Sequence, residues 1–149
     1  MPQSLANILT HVIFSTKDRE PLLLDHNLRK RAHAYLATVL KDLQCPAIII
    51  GGTSDHLHIL CRLARTQSLS DIMEHLKACS SKWLKAQGVN AFSWQRGYGA
   101  FSVSQSHLES VVSYIRNQEE HHRTMTFQEE YRLFLKRYRV AFDERYVWD

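Results

Sequence analysis

Hydrophobic positions recur with two periods along this chain, and the alternation between them predicts the order of its elements. Ile8 to Ser15 is rich in β-branched and aromatic residues and ends at the polar run Thr16 to Pro21, which predicts a first strand and its loop. From Leu24 to Leu43 the apolar residues Leu28, Ala32, Tyr35, Leu36, Val39 and Leu40 return at helical spacing. Pro46 ends that helix, and Ala47 to Ile50 opens a second strand that stops at the turn residues Gly51 to Asp55. His56 to Leu63 then alternates strictly, with Leu57, Ile59, Cys61 and Leu63 on one face and His56, His58, Leu60 and Arg62 on the other. A hairpin joins these two strands.

Ser68 or Ser70 caps a second helix through Ile72, Met73, Leu76, Cys79, Trp83 and Leu84, ending near Gly88. Ala100 to Val103 reads as a fourth strand. Ser106 with Glu109 forms a capping box for a third helix carrying Leu108, Val111, Val112 and Ile115. A last amphipathic stretch, Phe127 to Tyr138, precedes a tail, Phe142 to Asp149, expected to leave the core. The order βαββαβα predicts an α+β, ferredoxin-like split βαβ fold: a four-stranded antiparallel sheet with helices mainly on one face. At 149 residues the chain fits a single domain, 1–149, with its C-terminal helix and tail from about residue 127.

The net charge of +4 favours a polyanionic partner. Cys45, Cys61 and Cys79 are odd in number and lack Cys-x-x-Cys spacing, which fits reduced thiols and a cytoplasmic location. The N-terminus lacks the pattern of a signal peptide, and no apolar run approaches the ~20 residues that span a bilayer.

The chemistry concentrates in two places. Side chains two apart on a strand share a face, so His56 and His58 point together. On a helix, Tyr114 and Gln118 lie one turn apart on one face. Two neutral imidazoles and an amide oxygen would hold a divalent ion with open positions for a phosphate oxygen. A phenol of pKa ~10 needs such a cation, or a base, to act as a nucleophile. His121 and His122 follow within reach of the same ion, although exposed polar residues at a helix end are the better explanation of both. His11 reads as a structural residue of strand one. Lys17, Arg19, Lys82, Arg96 and Arg116 are candidate phosphate contacts or simply solvated charge, and Trp94 and Tyr98 are candidates for stacking on bases or for the core. The basic stretch Arg132 to Arg139 reads as a solvated helix face.

In order, His56-Leu57-His58, Lys77-Ala78-Cys79-Ser80-Ser81, Trp94-Gln95-Arg96-Gly97-Tyr98 and Tyr114-Ile115-Arg116-Asn117-Gln118 resemble the single-tyrosine transposases of the HUH endonuclease superfamily. The opening His11 to Lys17 with Arg19-Glu20-Pro21 resembles that family too, so the similarity runs over roughly residues 5 to 125. The resemblance implies a peel-and-paste transposase acting on single-stranded DNA with hairpins at the element ends. It implies His56, His58 and Gln118 as metal ligands, with Tyr114 as the nucleophile that becomes joined to a 5′ phosphate. It further implies Mg2+ or Mn2+ and a homodimer in which helix three is able to serve the partner's histidine pair, with assembly in cis or in trans left open; two imidazoles suit manganese or a softer ion better than magnesium. Two other functions compete with it: a non-cleaving DNA-binding module, such as a repressor or a domesticated transposase, and host processing of repeated palindromes.

Overall fold

The computed structural model describes residues 2–149. Four strands, β1 (Leu9–Ser15), β2 (Ala47–Gly52), β3 (His56–Arg62) and β4 (Gly99–Val103), form one antiparallel sheet in the order β2-β3-β1-β4. Five helices accompany them: α1 (His26–Asp42), α2 (Leu69–Ala86), α3 (Leu108–Arg116), α4 (Gln118–His121) and α5 (Phe127–Arg137). This is the split βαβ arrangement, each crossover helix linking two strands that flank a third.

Strand alternation divides the interior into two cores. Val12 and Phe14 of β1, with Leu57, Ile59 and Cys61 of β3, face the two long helices and pack on Ala32, Leu36 and Leu40 of α1 and Ile72, Met73, Leu76 and Leu84 of α2. The opposite face is also roofed. Ile13 and Phe101 meet Phe127, Tyr131 and Leu135 of α5 in a second, smaller cluster, and α3 lies across β2 and β3. The long helices therefore occupy one face as expected, while three short helices cover the face that carries His56 and His58.

Local chemistry explains most boundaries. The Asp25 carboxylate accepts from the amides of Asn27 and Leu28 at the start of α1, Ser68 accepts from Asp71 N at 3.1 Å at the start of α2, and Thr126 accepts from Glu129 N at 3.1 Å at the start of α5. The expected capping box at Ser106 is absent. A 3-10 turn, Gln105–His107, leads into α3, and Ser106 Oγ and His107 Nδ1 instead cluster with Ser104 Oγ, at 2.9 and 2.7 Å. Gly51 permits the close approach of α3, because a Cβ there would run into the carbonyl oxygen of Ile115. Gly99 does the same for α5, where a Cβ would lie 2.6 Å from the Tyr131 ring.

The tail departs from expectation by folding back. Trp148 packs beside Phe127 and Tyr131, with the guanidinium groups of Arg132 and Arg19 at 5.0 and 5.8 Å from its ring. Gly97 N donates to the Asp149 carbonyl at 2.8 Å, so the last residue is tied to the loop before β4. An apolar residue so near the end would lose this burial if the tail stayed in solvent. Among the described residues no helix is long and apolar enough to cross a membrane.

Candidate active site

β3 presents His56 and His58 to the α3–α5 side of the sheet, both fully buried. The β1–β3 register places His11 opposite Leu60, so His11 lies diagonally from His58. Their rings meet with His11 Nε2 2.8 Å from His58 Nδ1. On the other imidazole, His56 Nδ1 is 2.7 Å from the Asp55 carboxylate and 3.0 Å from Thr53 Oγ1. Each histidine is thus fixed through Nδ1, which leaves both Nε2 atoms aimed at the same point.

At that point stands Glu130, a residue that strand and motif patterns did not single out. Its Oε1 lies 2.8 Å from His58 Nε2, 3.1 Å from His122 Nε2 and 3.6 Å from His56 Nε2. Its Oε2 accepts hydrogen bonds from the Tyr114 hydroxyl and from Gln118 Nε2, the latter at 3.1 Å. Gln118 Oε1 in turn sits 3.0 Å from His56 Nε2 and 3.1 Å from His122 Nε2. Gln118 and Glu130 are each 1% exposed. The signal for Glu130 was present in α5: Phe127, Tyr131, Phe134 and Leu135 mark an apolar stripe, and Glu130 falls inside it, where an unpartnered carboxylate is costly.

Of the residues singled out from sequence, His56, His58, Tyr114 and Gln118 come together within a single chain, and His122 joins them. Helix three ends at Arg116, so Gln118 begins α4; the two residues still adjoin, with Gln118 Nε2 donating to Tyr114 O at 3.4 Å and both side chains meeting Glu130 Oε2. His121 stays outside the cluster and stacks on the Tyr114 ring at 4.6 Å. None of Lys17, Arg19, Lys82, Arg96 and Arg116 hydrogen-bonds to the cluster. Lys82 belongs to the helix layer on the opposite face, Lys17 and Arg96 border a cleft with Trp148, and Arg116 lines another with Arg29, Lys30 and Arg123. Trp94 is a core residue, 7% exposed, with its indole N–H donating to Ser80 Oγ at 2.9 Å, and is closed to base stacking.

Burial and the local fields set the protonation states. Burial pushes His58 down to about 4 and His11 down to about 3, so both are neutral imidazoles able to act as ligand and support. Burial alone would raise Glu130, but hydrogen bonds from His122 and His58 outweigh it and hold the carboxyl well below its ordinary range. Burial lowers and the Glu130 contact raises His122, with a net upward shift. Tyr114 is driven up, by burial first and then by the charge and hydrogen bond of Glu130, which keep the phenol protonated until a cation offsets that charge.

The donor set fits a metal. His56, His58, His122 and Glu130 offer ligand atoms that all lie within 4.8 Å of one another. Glu130 Oε1 lies 2.8 to 3.6 Å from the three Nε2 atoms, so four potential donors converge on one small volume, and together they would hold a divalent ion.

Comparison with known proteins agrees with this architecture. The fold resembles a candidate transposase of Deinococcus radiodurans R1, with a TM-score of 0.62 and 19% identity over 79% of this chain and 98% of that one. It also resembles a REP-associated tyrosine transposase solved bound to a REP hairpin, with a TM-score of 0.57 and 13% identity over 78% of this chain and 69% of that one. No curated protein matches the chain. Residues 4–118, which contain the histidine pair, Tyr114 and Gln118, match the family described as Transposase IS200 like, and the chain belongs to that family.

Proposed function

We propose that this protein is a metal-dependent transposase that cuts and rejoins single-stranded DNA at hairpin-bearing ends through a 5′-phosphotyrosine on Tyr114. The observation that carries the reading is the bridging carboxylate: Glu130 Oε1 faces three imidazole nitrogens while Oε2 accepts a hydrogen bond from the Tyr114 hydroxyl. Nucleophile and metal donors are thereby coupled through one side chain.

His56, His58, His122 and Glu130 would hold the ion, with Gln118 Oε1 beside them. When bound, the ion polarises a non-bridging phosphate oxygen and favours the phenolate. Three imidazoles and one carboxylate suit Mn2+ or a softer ion better than Mg2+, which prefers oxygen. Asp55 and His11 keep the two strand imidazoles oriented through their Nδ1 atoms. As Tyr114 Oη bonds to phosphorus, its proton leaves along the hydrogen bond to Glu130 Oε2 and passes on to water, because that carboxylate is too weak a base to keep it. The P–O3′ bond breaks, and the 3′ oxygen takes a proton from water and leaves as a hydroxyl. Because an aryl oxygen is itself a good leaving group, the 3′ hydroxyl can reverse the step and join strands without nucleotide energy.

Since Tyr114 meets the histidine pair of its own chain, we assign the site to act within one subunit, whether or not the protein dimerises. Incubation with hairpin-bearing single-stranded DNA and Mn2+ is expected to yield a denaturation-resistant protein–DNA adduct, lost in Tyr114→Phe. An undiminished adduct in that variant rejects the nucleophile assignment, and tight DNA binding without adduct under any divalent ion favours a binding module. The likeness to a transposase solved on a REP hairpin gives a second reading, in which the same chemistry processes repeated palindromes in place of element ends. Comparing cutting of the two hairpin classes separates them.

A further inference from the structure

Two unlike clefts border the buried cluster. On the His122 side is a polar cleft of about 640 Å3 bordered by Arg29, Asp55, Glu119 and Arg123. On the Tyr114 side is a groove of about 850 Å3 whose walls are Val111 of α3 and Leu133, Phe134 and Tyr138 at α5. Its inner end is formed by Tyr114 and Glu130, and Arg137 borders it as well. Phe134 and Tyr138 are parallel within 8°, and the Tyr114 ring stands edge-on to Phe134 at 5.7 Å. Leu133 and Tyr138 remain 50% and 39% exposed.

We propose that this groove is a nucleobase site for the first nucleotide on the 3′ side of the scissile bond, the one that stays attached to Tyr114. The inference rests on the strand-transfer reading above and specifies its substrate. A groove with the stacked Phe134 and Tyr138 rings along one wall, Val111 and Leu133 beside them and the hydroxyls of Ser102, Ser104 and Ser110 at its border suits an unpaired base, which every nucleotide offers as a π-face with polar edges. Its volume falls in the range of sites that enclose a small ligand, and Arg137 supplies a cation for the adjoining phosphate. In-line displacement then decides which nucleotide enters. The attacking and leaving oxygens lie on opposite sides of phosphorus, so the 3′-hydroxyl strand departs away from Tyr114. The nucleotide that carries the 5′ phosphate remains bonded to Tyr114, within reach of the groove that Tyr114 itself lines.

The test uses the full chain with Mn2+ and a hairpin oligonucleotide carrying a randomised single-stranded flank, the cut position being mapped by sequencing the adducts. Substrates with one abasic position immediately 3′ or immediately 5′ of that cut are then compared. The 3′ lesion is expected to slow adduct formation about tenfold, as loss of one stacked base would, and the 5′ lesion much less. Val111→Trp, which fills the groove, should bring the intact substrate down to the rate of the 3′-abasic one. A 2-aminopurine at the 3′ position, but not at the 5′ one, should be quenched on binding to non-cleaving Tyr114→Phe. Equal sensitivity to both lesions, stronger sensitivity on the 5′ side, or quenching at the 5′ position alone overturns the proposal. Absence of adduct on every substrate overturns instead the strand-transfer reading beneath it.

Discussion

Replacing His11 sets two effects of known sign against each other. Its Nε2 lies 2.8 Å from His58 Nδ1, and the two rings are 1% and 0% exposed. In metal-free protein, His11→Leu leaves His58 Nδ1 buried without a partner, which costs about 1–3 kcal/mol near pH 7.5. For a chain of this size that lowers the melting midpoint by about 2–4 °C per kcal/mol. The opposing effect comes from burial and the neighbouring His58, which lower the His11 pKa from 6.5 to about 3. Below the unfolded value the unfolded chain binds a proton that the folded chain refuses. Folded stability from this group therefore falls as pH falls, by about 1.4 kcal/mol per pH unit. Between pH 6.5 and 5 the wild type loses about 2 kcal/mol on this account, and a leucine loses nothing. The gap between wild type and His11→Leu should narrow with acidification and close or invert near about pH 5. His11→Gln keeps a hydrogen-bonding group without titrating, so it should match wild type at neutral pH and exceed it in acid. Urea denaturation with a chelator across this pH range measures both. A gap that stays constant, or a glutamine variant that follows the wild-type acid loss, refutes the assignment of His11 as a buried neutral support.

Other expectations follow from the same geometry. Glu130→Ala should cost metal-free protein about 3–5 kcal/mol, since charged or donor groups on His58, His122 and Tyr114 lose their common acceptor; urea titration reads this directly. Glu130→Gln should weaken Mn2+ binding at least about tenfold by calorimetry, and unchanged affinity would remove Glu130 from the ligand set. Gly51→Ala should push α3 away from β2, costing about 1–3 kcal/mol and slowing adduct formation more than it weakens DNA binding. Lys77→Met breaks hydrogen bonds from Nζ to the Gln95, Arg96 and Gly97 carbonyls at 2.8, 3.1 and 2.7 Å. A loss of about 2 kcal/mol with faster amide exchange in that loop is the expected result.

Much of this architecture was readable in advance because periodicity is a local property. The alternation at His56 to Arg62 both named the strand and put the two imidazoles on one face, and Tyr114 and Gln118 adjoin across the break between α3 and α4. Glu130 escaped notice because nothing local ties it to histidines more than 70 residues earlier. Only the packing of α5 brings it there, and an acidic residue in an amphipathic helix ordinarily faces water. His122 reads from sequence as an exposed residue at a helix end, where histidines are common; its place against Glu130 and Gln118 depends on where the chain turns next. The return of Trp148 was likewise set by long-range contacts with Arg19 and Phe127.

The roof over the histidine face has a consequence for how such a protein can diversify. Residues 4–118 match the family, whereas α5, which supplies Glu130 and most of the second apolar cluster, lies beyond the matched stretch. The sheet and its two long helices form a chassis whose larger core does not depend on that lid. Substitutions in α5 away from Glu130 therefore alter the smaller cluster and the cover over the histidine face while the packing of the larger core stays in place.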